Sequence, residues 1–299
     1  MSQTSQQRTG FVAIVGRPNV GKSTLLNALV GEKVSIVSAR PHTTRQRILG
    51  ILNQDHAQAI FVDTPGHAAR SKRALHRLMS RAIHQAVDDC DLILLVLEAG
   101  RLGSEDRAML EMLQEHAART ILVLNKVDRV ADKSKLLPLL QELQARGYLA
   151  YVPASALKGD NLDSLRAEIV AHLPSGEPLF PPAMSTDRDL TFRAAECIRE
   201  QLFMHLRQEL PYGLTVEVEH LSRNDTGQWL VHALIWLERT SHKPIVIGKD
   251  GQALKRVGSA ARLELVKLLE GRVHLELWVK IREHWSDNER ELQRLGFEL

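Results

Sequence analysis

The residues best suited to chemistry lie in a glycine-rich segment near the start of the chain. The segment Gly16-Arg17-Pro18-Asn19-Val20-Gly21-Lys22-Ser23 follows an apolar run at residues 11–15 and opens a helix-like stretch at 22–30. Glycines let backbone N–H groups turn inward on phosphate oxygens, and a helix N-terminus adds positive potential. The pattern predicts a nucleotide phosphate loop in which Lys22 holds the β- and γ-phosphates and Ser23 binds Mg²⁺. The alternative is an ordinary glycine turn between a strand and a helix.

A second group, Asp63-Thr64-Pro65-Gly66-His67, begins where the apolar run 59–62 ends. A carboxylate at a strand end can reach Mg²⁺, and the Gly66 N–H can reach a γ-phosphate, so we expect both Asp63 and Gly66 in the catalytic site. His67 follows at the position where GTPases of known mechanism orient the attacking water. The alternatives are a histidine turned to solvent and, for the whole group, a common turn.

A third group, Asn125-Lys126-Val127-Asp128, closes the apolar run 120–124. A carboxylate at Asp128 can accept hydrogen bonds from guanine N1–H and the 2-amino group, whereas adenine has neither donor. Each lost bond to a charged group costs about 1.5–3 kcal/mol, so ATP should be rejected by roughly two to four orders of magnitude. We expect Asn125 to brace the loop, Lys126 to lay its stem on the base, and Ser155-Ala156 to offer a backbone N–H to guanine O6. GTP and GDP are therefore the predicted ligands.

Residues 33–46 are rich in Ser, Thr, Arg and His and are typical of a mobile loop. A threonine hydroxyl here can close on Mg²⁺ when the γ-phosphate is present, which would make this loop the first switch. We favour Thr44 over Thr43, which gives Lys22, Thr44, Asp63 and Gly66 as the expected catalytic set. The alternative is a solvated polar loop. Arg45 is a less favoured candidate for an arginine finger, and Arg17 less still.

The elements that must position these groups follow an alternating pattern. Short apolar runs alternate with amphipathic segments at 72–87, 104–116, 133–146 and 161–173, and the runs lie at 11–15, 59–62, 92–97, 120–124 and 148–153. This order predicts an α/β domain with a doubly wound, mainly parallel sheet. Such sheets bind ligands at the carboxyl ends of their strands, where these groups lie.

A proline-rich stretch at 174–182 ends this alternation and predicts a linker. We therefore divide the chain into a nucleotide-binding domain at 1–175, a linker at 176–188 and a smaller α+β domain at 189–299. The smaller domain has the predicted order helix (189–210), strand (215–220), strand (228–237), a glycine-interrupted helical region (244–269) and strand (273–281). We expect Trp278 and Trp285 to pack in its core, with stacking on a nucleic-acid base as the alternative.

The segment Gly248-Lys249-Asp250-Gly251 falls inside the interrupted helical region. A GxxG loop between two helices can clamp a nucleic-acid backbone, and Lys255 and Arg256 can add phosphate contacts one turn later. The negative charge of Asp250 would repel phosphate groups. Either its side chain points away from the nucleic acid, or binding depends on Lys249, Lys255 and Arg256. A GxxG sequence alone is also compatible with a plain turn.

Composition sets broad limits on the partners and the compartment. The formal net charge is +3, with 44% hydrophobic and 25% charged residues, which is typical of a globular protein and compatible with a nucleic-acid partner. Cys90 and Cys197 lie far apart and form no metal-ligand spacing, which favours a reducing compartment. The polar residues 1–10 lack the apolar core of a signal peptide, and the apolar run 92–97 is too short to cross a bilayer. We expect a cytoplasmic protein and leave open a peripheral membrane contact.

Together these motifs resemble the Era GTPases of bacteria, and the resemblance covers nearly the whole chain. Further matches in the second half are Glu209-Leu-Pro-Tyr212, residues 246–251 and residues 274–280. The resemblance implies a P-loop GTPase followed by a type II KH domain that binds the 3′ end of 16S ribosomal RNA. We expect slow turnover, because no arginine finger is evident. It further implies a role in 30S ribosomal subunit biogenesis and its coupling to growth, a monomeric state, and a peripheral contact with the inner membrane that stays open. His67 departs from the family, which usually has an apolar residue there, whereas Asn19 matches GTPases that use K⁺ beside Mg²⁺.

A rival interpretation is a nucleotide-gated switch that binds proteins or a membrane surface through its second domain. The GxxG context favours RNA, while Asp250 and the modest charge weaken that choice. A metabolic GTP-using enzyme is a third class, but the sequence offers no second catalytic group of residues outside the switch regions.

Overall fold

The computed structural model describes residues 7–38, 45–54, 56–64, 74–206 and 213–295. These residues form two compact units, each with hydrophobic core residues of its own. The first unit contains residues 7–35, 45–54, 56–64 and 79–187. The second unit contains residues 36–38, 74–78, 188–206 and 213–295.

The first unit is built on a six-stranded sheet in the order β2-β3-β1-β4-β5-β6, in which β2 is antiparallel to β3 and the other neighbours are parallel. Its strands are β1 Arg8–Val15, β2 Ile48–Gln54, β3 Ala57–Asp63, β4 Leu92–Glu98, β5 Thr120–Asn125 and β6 Ala150–Pro153. The helices of this half of the chain are α1 Lys22–Val30, α2 Ala74–Asp89, α3 Ser104–Met112, α4 Leu136–Gln144 and α5 Leu162–His172.

Helices cover both faces of this sheet because successive residues of a strand point to opposite sides. Ile14 of β1 packs in the cluster that holds α1 and α5, whereas Val15 packs in the cluster that holds residues of α2, α3 and α4. The predicted doubly wound, mainly parallel architecture is confirmed. The strand β2 was not among the predicted elements, and the helix expected at 104–116 ends at Met112 and is followed by a 3₁₀ helix at Gln114–Arg119.

The proline-rich segment lies along the outer strand β2 of this sheet. The Ile51 N–H donates to the Ser185 carbonyl oxygen at 2.8 Å, and Gly50 pairs with Thr186 in an isolated antiparallel bridge. The Asn53 side chain also donates to the Pro182 carbonyl oxygen at 3.0 Å. This segment therefore packs as part of the first unit up to residue 187. The domain limits at 175 and 188 stay predictions.

The second unit has a three-stranded sheet in the order β7-β8-β9, with β7 antiparallel and β9 parallel to β8. Its elements are α6 Leu190–His205, β7 Leu214–Arg223, β8 Trp229–Leu237, α7 Lys243–Ile247, α8 Gln252–Leu268, β9 Val273–Ile281 and α9 Glu289–Arg294. The predicted order of helix, strand, strand, helix, helix and strand is confirmed. Within the described residues, no helix is both long enough and apolar enough to span a bilayer.

The two tryptophans expected in the core of this unit differ in their surroundings. Trp285 is fully buried, as predicted, but Trp278 is 43% exposed. Trp278 lies on the face of β9 that also presents Lys280, and its ring meets the His232 ring edge to face at 5.6 Å between centroids. The prediction that Trp278 packs in the core is therefore wrong, because alternate residues of β9 face away from the helices.

Candidate nucleotide and RNA sites

The phosphate loop joins β1 to α1 and depends on glycine at Gly21. This residue has a φ of +102°, and a Cβ atom there would lie 2.4 Å from Nδ2 of Asn125. A side chain would therefore be strained in its backbone and would collide with the guanine motif. Helix α1 begins directly after it at Lys22, so the N-terminal end of the helix faces the loop.

Lys22 is buried inside this loop. Its ammonium donates to the carbonyl oxygens of Gly16 and Arg17, at 3.0 and 3.1 Å. Burial lowers the pKa of Lys22 to about 8, with the positive charge of Arg17 acting in the same direction and the carboxylate of Asp63 opposing it. The loop thus holds a desolvated cation that an incoming phosphate would stabilise.

The carboxylate of Asp63 gathers two hydroxyl groups beside the loop. Oδ2 of this fully buried residue accepts hydrogen bonds from Oγ of Ser23 and from Oγ of Ser35, both at 2.9 Å. Hydroxyl and carboxylate oxygens are the ligands that Mg²⁺ prefers, and this ion usually keeps several waters beside one or two protein groups. Ser23 and Asp63 therefore fit the predicted ion. In the described part of the chain, no three His, Cys, Asp or Glu side chains are grouped to hold a metal.

Several predicted site residues cannot be placed. Thr44 and its alternative Thr43 lie outside the described residues, as do the three residues Pro65, Gly66 and His67. Thr64 is described, and its hydroxyl donates to the Ile14 carbonyl oxygen at 2.8 Å, so its side chain fastens β3 to β1. The roles of Thr44, Gly66 and His67 stay predictions.

The guanine motif is fastened to the phosphate loop through Asn125. Its Nδ2 donates to the Val20 carbonyl oxygen at 2.8 Å, and its Oδ1 accepts from the Ala156 N–H at 3.0 Å. One side chain thus braces both loops, which is the arrangement expected for Asn125. The Ser155 N–H donates to the Asp160 carbonyl oxygen. Because the N–H groups of Ser155 and Ala156 both have protein acceptors here, their predicted donation to guanine O6 stays a prediction.

Asp128 presents a carboxylate to solvent from the 3₁₀ helix Val127–Arg129, which follows β5. Its Oδ1 accepts from Oγ of the buried Ser155 at 2.6 Å, so the hydroxyl fixes the orientation of the carboxylate. An oriented carboxylate at this position can accept the two hydrogen bonds that distinguish guanine from adenine.

Two acidic residues that the sequence analysis did not single out hold the phosphate loop from the side. Nε of Arg17 donates to both oxygens of Asp106 at 3.0 Å, and Nη2 of Arg17 donates to Oε2 of Glu98 at 2.8 Å. The Lys126 ammonium lies 3.2 Å from the same Glu98 oxygen. Burial acts to raise the pKa of Glu98, but hydrogen bonds from Lys126 and Arg17 outweigh it and the pKa is lowered. Arg17 is thus committed to two carboxylates, which removes it as a candidate arginine finger.

In the second unit, the GxxG segment joins α7 to α8. Gly248 has a φ of +76°, and a Cβ atom there would lie 2.6 Å from Cβ of Ala253, so only glycine fits. Asp250 also has a positive φ, of 50°, and its side chain is exposed like that of Lys249.

A groove of about 420 Å³ lies beside this segment, between α8 and β9. Its lining consists of Gly251, Leu254, Lys255, Gly258, Ser259, Arg262, Leu275 and Leu277. Lys255 borders the groove, while Arg256 and Asp250 do not line it, and the RNA contacts expected of Lys255 and Arg256 stay predictions. Arg262 was missed, although it lies seven residues after Lys255 and so on the same helical face.

Comparisons with known proteins follow the same division of the chain. Residues 11–126 match the family described as 50S ribosome-binding GTPase, and residues 209–286 match the KH domain family. The GTPase Era of Yersinia pestis strain Pestoides F is 45% identical over 298 residues, which is 99% of this chain and 98% of that protein. The Yersinia pseudotuberculosis protein of the same name, from serotype O:1b strain IP 31758, gives the same values.

Two solved structures match along 98% of this chain and all of their own length, each at 40% identity. One is a Tyr-to-Ala variant of Aquifex aeolicus Era bound to GDP·AlF4⁻, with a TM-score of 0.92. The other is Era in complex with MgGDPNP and nucleotides 1506–1542 of 16S ribosomal RNA, with a TM-score of 0.93.

Proposed function

Because this chain belongs to the Era family of GTPases, we propose that its first unit binds GTP and GDP through the site described above and that its second unit binds the 3′ end of 16S ribosomal RNA. The observation that supports the nucleotide specificity best is the carboxylate of Asp128. It lies at the carboxyl end of β5 and is oriented by the Ser155 hydroxyl. Two hydrogen bonds from this group to guanine have no counterpart in adenine.

The reaction is hydrolysis of GTP to GDP and phosphate. A water oxygen forms a bond to the γ-phosphorus while the bond between that phosphorus and the β–γ bridging oxygen breaks. The Lys22 ammonium can exchange its carbonyl acceptors for phosphate oxygens and stabilise the charge that develops on the leaving group. Ser23 and Asp63 would hold Mg²⁺, which neutralises phosphate charge when bound. We expect slow turnover, because Arg17, the less favoured finger candidate, is held by Glu98 and Asp106, and a finger role for the buried Arg45 stays a prediction.

The remaining roles in the nucleotide site are part of the same proposal. Thr44 would complete the Mg²⁺ site when GTP is bound, Gly66 would donate its N–H to the γ-phosphate, and His67 has either a water-orienting or a solvent-facing side chain. Asn19 would support a K⁺ ion beside the phosphates. Equal hydrolysis rates in K⁺ and Na⁺ would exclude the potassium site, and an unchanged rate in His67→Ala would exclude the water-orienting role.

The RNA part of the proposal rests on the groove between α8 and β9. The groove joins an apolar floor at Leu275 and Leu277 to the cations Lys255 and Arg262, next to a glycine loop that permits close approach of a backbone. A solved relative with 40% identity to this chain is in complex with nucleotides 1506–1542 of 16S ribosomal RNA. On the basis of the family resemblance we further propose a cytoplasmic, monomeric protein that acts in 30S subunit biogenesis, with a peripheral membrane contact as an additional hypothesis.

A titration with a short single-stranded RNA of the 16S 3′-end sequence tests this proposal. We expect the wild type to bind it at moderate salt and a Gly248→Asp variant to lose binding. Gly227→Asp is the control for the added charge and the backbone strain, because Gly227 also has a positive φ, of 75°, but lies in the turn between β7 and β8. A Cβ atom at Gly227 meets nothing within 4 Å, so the folding of Gly248→Asp is checked separately by circular dichroism. Absence of RNA binding in the wild type would favour the rival switch that binds proteins or membranes. Equal affinity for GDP and ADP would refute the guanine site.

A further inference from the structure

Glu98 lies at the junction of the two loops that form the nucleotide site. Its strand, β4, stands between β1, which leads into the phosphate loop, and β5, which leads into the guanine motif. In the β4–β5 register Glu98 is directly opposite Asn125. A long side chain at this position can therefore reach both loops, and its carboxylate contacts Arg17 from one loop and Lys126 from the other.

The ammonium of Lys126 is held at two points. It donates to the Asn19 carbonyl oxygen at 2.5 Å and lies 3.2 Å from Oε2 of Glu98. Both side chains of the ion pair are largely buried. A lysine side chain has four rotatable methylene bonds, so fixing its charged end restricts the path of the whole stem. That stem is the part of Lys126 expected to lie on the guanine base.

Arg17 depends less on Glu98 than Lys126 does. The Arg17 guanidinium is held through Nε by both oxygens of Asp106, and Asp106 is fully buried and also accepts the Gly103 N–H at 2.9 Å. Loss of the Glu98 charge would leave this second carboxylate in place. Lys126, by contrast, would keep only a neutral carbonyl acceptor from among these contacts.

We propose that Glu98 is a positioning residue for the guanine base, which acts by holding the Lys126 stem in the plane of contact with the base. This inference rests on the proposed guanine site. Glu98 touches neither the phosphates nor the reacting water in this proposal. It should therefore affect the binding of guanine nucleotides and leave the chemical step alone.

The first test compares ligands with and without a base. In Glu98→Gln we expect the Kd of GDP and the KM of GTP to rise on the order of 10-fold, as for a lost charge-assisted hydrogen bond, with kcat within about twofold of wild type. Inorganic pyrophosphate, measured as a competitor of a fluorescent GDP, should bind with unchanged affinity. An equal loss of pyrophosphate affinity would overturn the proposal, because Glu98 would then act through Arg17 and the phosphate loop.

The second test is a double-mutant cycle with Lys126→Met, which keeps an apolar stem and removes the ammonium. If Glu98 acts through Lys126, adding Glu98→Gln to Lys126→Met should cause no further loss of GDP affinity. Additive losses would refute the inference. Glu142→Gln is the matched control, because Glu142 pairs with Arg107 on the surface of the same unit at 3.4 Å, and it should bind GDP like wild type.

Two further measurements separate the possible failures. If Glu98→Gln does not fold, Glu98→Asp is the second variant, because aspartate keeps the negative charge but is shorter by one methylene group. A KM for GTP equal to that of the wild type in this variant would contradict the proposal. A wild-type protein that binds GDP and ADP equally would refute the guanine site itself. A guanine-selective wild type with an unaltered Glu98→Gln variant would refute the role of Glu98 alone.

Discussion

The buried ammonium of Lys22 makes a specific prediction about pH. Burial places its pKa at about 8, against an ordinary value of 10.5. Phosphate oxygens favour the charged form, so the pKa of Lys22 should rise when nucleotide binds. Nucleotide affinity is therefore highest below about pH 8 and falls as the pH increases above that value, because the free protein must then take up a proton in order to bind.

The size of this effect follows from the fraction of protein that has lost the proton. At about pH 7 roughly one molecule in ten is deprotonated, and at about pH 8.5 roughly three in four are. If only the charged form binds, the Kd of magnesium GDP should rise about fourfold over this interval. This pH interval lies below the pKa of the guanine N1–H, so ionisation of the base contributes little to the change in Kd.

The assay is equilibrium titration of fluorescent GDP at constant ionic strength, with Lys22→Gln as the reference. The variant should bind more weakly and show a flat profile across the same interval. A flat profile in the wild type would refute the argument, because the buried lysine would then have an ordinary pKa.

The same pKa predicts the stability of the nucleotide-free protein. The folded-state pKa lies below the unfolded-state value, so the unfolded chain binds more protons between about pH 8 and 10.5. The burial penalty is therefore present in full below pH 8 and is relieved as the pH rises towards 10.5. It amounts to about 3 kcal/mol at 1.36 kcal/mol per tenfold change. Lys22→Gln should raise the free energy of unfolding at about pH 7, and no gain in chemical denaturation would contradict this.

Four other substitutions test separate parts of the two sites. Asp128→Asn should weaken GTP binding by roughly two to four orders of magnitude in nucleotide competition and improve binding of xanthosine triphosphate, whose base offers an acceptor in place of the 2-amino group. Unchanged nucleotide selectivity would show that Asp128 does not determine the choice of base. Ser155→Ala should raise the Kd of GDP on the order of 10-fold, since the Asp128 carboxylate loses the hydroxyl that orients it, and wild-type affinity would show that the bond is dispensable. Arg262→Ala should weaken RNA binding and lower the slope of log affinity against log salt concentration by about one. Arg256→Ala is the comparison outside the groove, and equal effects of the two substitutions would refute the proposal that RNA binds in the groove. Gly248→Ala should lower the free energy of unfolding in urea by about 1–3 kcal/mol, because its Cβ meets Ala253, and wild-type stability would contradict that contact.

The parts of the fold that could be predicted are those with strong local signals. The apolar runs of β1, β4 and β5 are continuous because helices cover both faces of the sheet, and the strand at 273–281 alternates clearly. The strand β2 was missed because its short run, interrupted by Gly50, follows a polar loop and has no motif attached. The alternation in β9 also indicates that Trp278 faces away from the core. We expected burial instead, because tryptophan is a large and mainly apolar residue.

The site was predictable where function requires a residue type at a fixed place in the chain. Asn125 braces the phosphate loop as expected from its motif, and Lys22 is buried in the loop that the glycines predict. Glu98 and Asp106 could not be found in this way, since their contacts with Arg17 span 81 and 89 positions and follow only from strand order. Ser35 was missed for the same reason, because its bond to Asp63 depends on how two distant segments meet.

The segment that lies along β2, between α5 and α6, has a consequence for the outer edge of this sheet. An outer strand normally exposes a row of N–H and C=O groups that can recruit another strand, and proline is a common means of preventing this. Here Thr186 pairs with Gly50 of β2, and the Ser185 carbonyl oxygen accepts the Ile51 N–H. We expect a nucleotide-binding fragment that ends at residue 175 to expose the backbone groups of β2 and to aggregate. A fragment that ends at residue 187 would keep the residues that pair with this strand.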